Sequence, residues 1–179
     1  MTNRPQVLVR SRTEIESGRI QGGRLISIAG HNGPYPKIQR DQWTEVLDLR
    51  FDDVAMTEWI SRNQVWRGPT VNDLQVALAF AKADEQRLVV HCEQGKSRST
   101  GVALAILASR LGPGNETEAV ENLLSAVIDP DIVQPNPLLV RYADEVLGRN
   151  GAIENAILSK CPRYVSWLAY WKRNGARQS

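Results

Sequence analysis

The stretch that most limits what this chain can fold into begins at Leu88. An apolar run, Leu88-Val89-Val90, leads through His91-Cys92 into a polar turn, Glu93-Gln94-Gly95-Lys96-Ser97-Arg98-Ser99-Thr100. It resumes as the apolar Gly101-Val102-Ala103-Leu104-Ala105-Ile106-Leu107-Ala108. The first run reads as a short buried strand and the second as a buried helix. Strand, tight loop and helix N-terminus in that order make an anion site, because loop amides and helix dipole converge on one point. A cysteine opens the loop and an arginine stands six positions later, so a bound anion meets a thiolate and a guanidinium fork. Gly95-Lys96-Ser97 imitates the end of the nucleotide-binding phosphate loop. That motif needs a glycine five positions before Gly95, where Val90 stands, so the imitation fails.

At 179 residues the chain is long enough for one domain, spanning 1–179, with a real core. Its 42% apolar and 23% charged content is that of a soluble globular protein. The net charge of +2 is too small to argue for nucleic acid, yet it allows a local basic patch around an anionic ligand. No apolar run approaches the roughly 20 residues of a membrane span. The polar start, Met1 to Gln6, lacks the apolar centre of a signal peptide. Cys92 and Cys161 are far apart and lack zinc-type spacing, so the expectation is a reducing cytoplasm, with Cys92 a working thiol and Cys161 a bystander.

Taken in order, Gln6 to Val9 is a strand candidate and Ser11-Arg12-Thr13-Glu14 a capping box opening a short helix. Leu25 to Ala29 is a second strand, followed by a turn-rich loop from Gly30 to Pro36. That loop is either ordinary surface or a neighbour of the anion pocket, where Tyr35 or Lys37 could touch a ligand. Glu45 to Phe51 alternates, with Leu47, Leu49 and Phe51 on one face, and reads as a strand running into Asp52-Asp53. Asp48, on the other face, reads as solvated. Between Ala55 and Pro69, with Trp59 and Trp66, a short helix and a loop are expected. Thr70 to Asp73 starts a helix whose buried stripe is Val71, Leu74, Leu78 and Ala81. The helix after the loop stops near Leu111 at Gly112-Pro113-Gly114. Asn115 with Glu118 reads as the cap of the next helix. A further helix follows Gln134-Pro135-Asn136-Pro137, and a C-terminal helix over about 162–174 puts Tyr164, Trp167, Leu168 and Trp171 on one face. That face docks either on the chain's own core or on a partner. Strands in the first half and helices in the second predict an α/β fold, a mostly parallel sheet of about 4–5 strands flanked by helices.

His91, Cys92, Gly95, Arg98 and Ser99 match His-Cys, five residues, Arg, Ser/Thr. This resembles the signature of the protein tyrosine phosphatase superfamily, in its small dual-specificity-like branch that includes bacterial members. The resemblance covers about 45–148. It implies a cysteine-dependent phosphomonoesterase that needs neither metal nor cofactor. The Pro-Asn-led helix also resembles the family's, although the arginine often found before it is missing. By resemblance, Cys92 is the nucleophile and acts as thiolate. Backbone N–H groups from Glu93 through Gln94, Gly95, Lys96 and Ser97 to Arg98 cradle the phosphate, with Arg98 bidentate on two oxygens. Ser99 donates to the sulfur, or serves as a helix N-cap. His91 orients the loop rather than exchanging protons.

The family's general acid is an aspartate in an upstream loop, just past a strand of this kind. Aligning Leu49-x-Phe51-x-Asp53 favours Asp53 over Asp52; a purely local capping role is the alternative. The expected partner is a phosphorylated protein or small phosphorylated substrate. The resemblance leaves open phosphotyrosine, phosphoserine/threonine, a phosphorylated metabolite, or a phosphoinositide, since Lys96 sits where phosphoinositide-directed members often carry a lysine. A non-catalytic phosphate-binding module and a rhodanese-like sulfurtransferase are the competing classes, and oligomeric state is not legible.

Overall fold

The computed structural model describes residues 6–82 and 87–176; all but Gln6 of the polar start lies outside them. Four strands, β1 (Val7–Ser11), β2 (Arg24–Ala29), β3 (Glu45–Arg50) and, later in the chain, Leu88–Cys92, form one sheet in which every pairing is parallel. Between β3 and the last of these lies a two-stranded antiparallel hairpin, β4 (Glu58–Ser61) and β5 (Gln64–Arg67), which makes Leu88–Cys92 β6. The sheet order is β1-β6-β2-β3.

The strands alternate between two buried faces, as a parallel sheet covered on both sides requires. Val7, Val9, Ile26, Ile28, Leu88 and Val90 point into the larger core, and Leu25 and Val89 into the smaller one with Ile15 and Trp43. Leu49 and Phe51 lie in the larger core and Leu47 packs against it, as the alternation predicts. Asp48 is exposed and ion-pairs with Arg40. Helix α1 (Arg12–Glu16) starts from the Ser11–Glu14 capping box. Helices α2 (Val71–Lys82), α3 (Arg98–Leu111), α4 (Glu116–Ala126), α5 (Pro137–Leu147), α6 (Ala152–Lys160) and α7 (Pro162–Ala176) complete the chain. At the head of α2, Thr70 and Asp73 exchange backbone-to-side-chain bonds as predicted.

Three local expectations are corrected. The segment from Ala55 to Pro69 is a hairpin rather than a helix and loop. Arg62 and Asn63 take φ of 49° and 62°, the left-handed pair of a tight two-residue turn, and Trp59 lies opposite Trp66. Asn115 sits at the N-cap of α4 but its side chain does not cap it. The Asn115 amide instead donates to the carbonyl of Leu111, tying α4 to the end of α3. Ser99 is not an N-cap either, because α3 begins at Arg98 and Ser97 holds that position.

The C-terminal helix docks on its own chain: Tyr164 and Trp171 are buried and Leu168 packs against the core. Cys161 is also buried, and burial pushes its thiol up. Among the described residues, no helix is long and apolar enough to cross a membrane.

Candidate functional site

β6 is a central strand, and its carboxyl end opens directly into the loop 93–97 and then α3. Crevices at the carboxyl ends of parallel strands are where such sheets bind ligands. Gly95 is what lets the loop fold back so tightly. Its φ is +70°, and a Cβ there would fall 2.9 Å from the carbonyl carbon of Arg10 and the amide nitrogen of Ser11. The loop's carbonyls are tied outward. Glu93 O accepts from the Arg12 amide, Lys96 O from Gln134, and Ser97 O from Gly101 and Asn136. Among the described residues, no backbone amide from Glu93 to Ser97 donates to a protein acceptor. With the Glu93, Lys96 and Ser97 carbonyls engaged elsewhere and the amides unmatched, the loop is a donor surface suited to an anion.

Cys92 and Ser99 are both buried, with Sγ and Oγ 3.1 Å apart. Arg98 donates Nη1 to the carbonyl of Phe51 at 3.1 Å, which fixes one arm of the guanidinium. Its Nε is buried with no hydrogen-bond partner among the described residues. A buried guanidinium N–H left unmatched by protein is costly unless an anion uses it.

His91 is fully buried, and burial lowers its pKa to about 4. The parallel register sets His91 beside Ser27 of β2, and Nε2 lies 2.9 Å from Ser27 Oγ. Nδ1 lies 3.4 Å from the carbonyl of Cys92. A neutral ring donating through Nδ1 and accepting at Nε2 satisfies both contacts. No feature of the sequence singled out Ser27.

The unfolded chain binds a proton at His91 below the ordinary value near 6.5, whereas the folded chain resists it down to about 4. Stability is therefore expected to fall as pH drops from about 6.5 to about 4. The denaturation midpoint followed across that window should show this slope in wild type, and less of it in His91→Gln.

The two candidate carboxylates do different things. Asp52 accepts the His31 amide on Oδ1 and the Arg67 amide on Oδ2, both at 2.9 Å, so it brackets the 30s loop to the end of the hairpin. Asp53 uses Oδ1 only, accepting from Ser97 Oγ at 2.7 Å and Asn136 Nδ2 at 3.0 Å. Its Oδ2 has no partner among the described residues. Asn136, fully buried, also donates to Val54 O and accepts the amides of Leu138 and Leu139 as the N-cap of α5. The Asn136 side chain thereby ties α5 to the Asp53 segment, and its backbone amide ties both to the loop by donating to Ser97 O. The sequence showed Asn136 as a helix leader and gave no sign of this second bond set.

A cavity of about 550 Å³ lies beside the loop, and Arg98, Glu93, Asp52 and Asp53 line it. The 30s loop does border it, through Gly30, Asn32, Gly33 and Pro34 rather than through Tyr35 or Lys37. Tyr35 is exposed and stacks over the Arg50 guanidinium at 4.2 Å, and the Lys37 amide binds Glu16. Arg12, which the sequence marked only as part of a helix start, lines the cavity as well.

A family model described as the Rit1 DUSP-like domain matches residues 71–129, the span from α2 to just past α4 that includes the loop. Solved structures extend the likeness across most of the chain. The human tyrosine phosphatase-like serine/threonine/tyrosine-interacting protein superposes with a TM-score of 0.60 at 14% identity, covering 78% of this chain and 89% of that one. The fold is that of the dual-specificity and tyrosine phosphatases. Human DUSP28 gives 0.57 at 18% identity, over 82% and 90%. PTPMT1 in complex with PI(5)P gives 0.51 at 20% identity, over 81% and 94%. No curated protein matches the chain by sequence.

Proposed function

We propose that the protein is a cysteine-dependent phosphomonoesterase. The observation that carries the reading is that one short loop brings together three features. These are the unmatched Nε of Arg98 and Asp53 with one carboxylate oxygen left over, both lining the cavity, and the loop that joins them to Cys92, buried beside Ser99 at 3.1 Å at its start.

The phosphate dianion seats on the loop amides and the Arg98 fork, which offset its charge. The Cys92 thiolate attacks phosphorus, the ester P–O bond breaks, and the leaving oxygen takes a proton from Asp53 Oδ2. Water then attacks the phosphocysteine, Asp53 takes the proton back, and the sulfur departs as thiolate with the Ser99 hydroxyl donating to it. Inorganic phosphate is released. Buried and neutral, His91 keeps out of the proton traffic and holds the Cys92 backbone.

The test is release of phosphate from an activated aryl phosphate. It is expected to be blocked by vanadate and unchanged by a metal chelator. Arg98→Lys should cost about 10²–10³-fold in kcat, because a point charge cannot replace a fork held between Phe51 O and two phosphate oxygens. A lysine variant with wild-type turnover would remove Arg98 from the mechanism.

A further inference from the structure

The cavity is lined by two unlike sets of residues. Besides Arg98, Glu93 and Asp53 it has a cluster of rings, Trp59 and Trp66 from the hairpin and Trp167, Tyr170 and Trp171 from α7. Trp167 and Tyr170 lie parallel, centroids 5.3 Å apart and 4° between planes. Trp171, only 6% exposed, meets Trp59, Trp167 and Tyr170 edge-on at 5.5, 5.5 and 5.2 Å. Such mutual packing fixes the ring planes before any ligand arrives. The cluster stands on different supports from the loop. α7 packs on α5 and α6, and β4 pairs with β5, whereas the loop hangs between β6 and α3. A group lying on the rings thus shares the cavity with Glu93 and Arg98, the residues at the two ends of the loop.

Electrostatics narrows the group further. The cations lining the cavity are Arg12 and Arg98. The Arg12 guanidinium already serves Glu16 at 2.8 Å, Glu93 at 3.4 Å and the carbonyls of Pro34 and Tyr35. A second phosphate on the ligand would meet Glu93 and Asp52 rather than a spare cation. Lys96 does not line the cavity. Asn32 and Gln64 do, and each amide offers a donor and an acceptor, which the edge of a heteroaromatic base can use and a plain phenyl ring cannot.

Granting the phosphomonoesterase reading, we propose that the ring cluster is the leaving-group subsite and that its ligand is a flat, uncharged heteroaromatic ring carried on the same ester as the phosphate. That is the chemistry of a nucleoside monophosphate. Base-on-indole stacking supplies the affinity and the Asn32 and Gln64 amides read the ring edge.

The experiment compares kcat/KM for adenosine 5′-monophosphate, its 3′ isomer, phosphotyrosine and glycerol phosphate. The better nucleotide isomer is expected to exceed glycerol phosphate by about tenfold to a hundredfold, the worth of one stacked base. Trp167→Ala should collapse that ratio, and Trp167→Phe should retain most of it. Val165→Ala, on the exposed side of α7, should leave the ratio intact. Equal rates on all four esters would overturn the subsite while leaving the phosphomonoesterase standing. Phosphotyrosine ahead of both nucleotides would overturn the nucleotide assignment. Absence of turnover on every ester would strike the catalytic reading instead. Calorimetric titration of Cys92→Ser with the same nucleotides would then decide the subsite: binding that depends on the ring and on Trp167 supports it, and binding that does not overturns it.

Discussion

Cys92→Ser is expected to lose phosphate release by a factor on the order of 10⁵ or more, while the protein stays folded and still binds phosphate. The sulfur is buried against Ser99 Oγ, and a serine hydroxyl fits the same space and can keep that contact. What it cannot do is exist as an anion at neutral pH, and a neutral hydroxyl is a poor nucleophile toward a dianionic ester. The donor surface of loop amides and Arg98 is untouched by the exchange. The variant should therefore bind phosphate or vanadate within a few-fold of wild type by calorimetry. Residual turnover near wild type would show that another group attacks phosphorus.

Asp53→Asn carries the second large effect, about 10²–10⁴-fold on esters with poor leaving groups and far less on activated aryl esters. Asparagine is the informative replacement because the proposed acid also makes the clamp bonds to Ser97 and Asn136. An asparagine Oδ1 still accepts from Ser97 and Asn136, so the clamp between β3's end, the loop and α5 survives. Only the transferable proton is lost. Asp53→Ala removes the clamp as well and leaves a buried Asn136 donor with Val54 O as its remaining acceptor, a destabilisation of about 1–3 kcal/mol on top of the chemical loss. Asp52→Asn should act mainly through the hairpin, since both Asp52 oxygens accept backbone amides and an amide NH₂ cannot accept from His31 or Arg67. A large leaving-group-dependent loss in Asp52→Asn, with Asp53→Asn near wild type, would exchange their roles.

The sheet, the loop and the buried helix behind it were legible in the sequence because local pattern and tertiary role agree there. Leu88-Val89-Val90 is apolar on both faces because both faces are covered, and Gly95 marks the one backbone position that a side chain would block. The capping pairs Ser11–Glu14 and Thr70–Asp73 likewise use only near neighbours in sequence.

What escaped the reading is long-range. The hairpin joins Trp59-Ile60 to Val65-Trp66 through a two-residue turn ending in Asn63. That asparagine between aromatic and β-branched runs was a usable turn signal, masked by the polar residues around it. Asn136 reaches Asp53 across 83 positions, and Ser27 meets His91 only because β6 inserts between β1 and β2. The periodicity of α7 showed an aromatic face, part of which docks on the core. That Trp167 and Tyr170 also line one cavity with Glu93 and Arg98 depends on where α5 and α6 set the helix, which no local pattern encodes.

The covalent step is the centre of the account, and acid-quenched mass spectrometry reads it directly. An activated aryl phosphate would be mixed with Asp53→Asn, in which the loss of the base slows hydrolysis of the intermediate more than its formation. A phosphoryl adduct is expected on the peptide carrying Cys92, appearing within one turnover and absent in Cys92→Ser. Steady turnover with no adduct at any time, or an adduct on a residue other than Cys92, would contradict it.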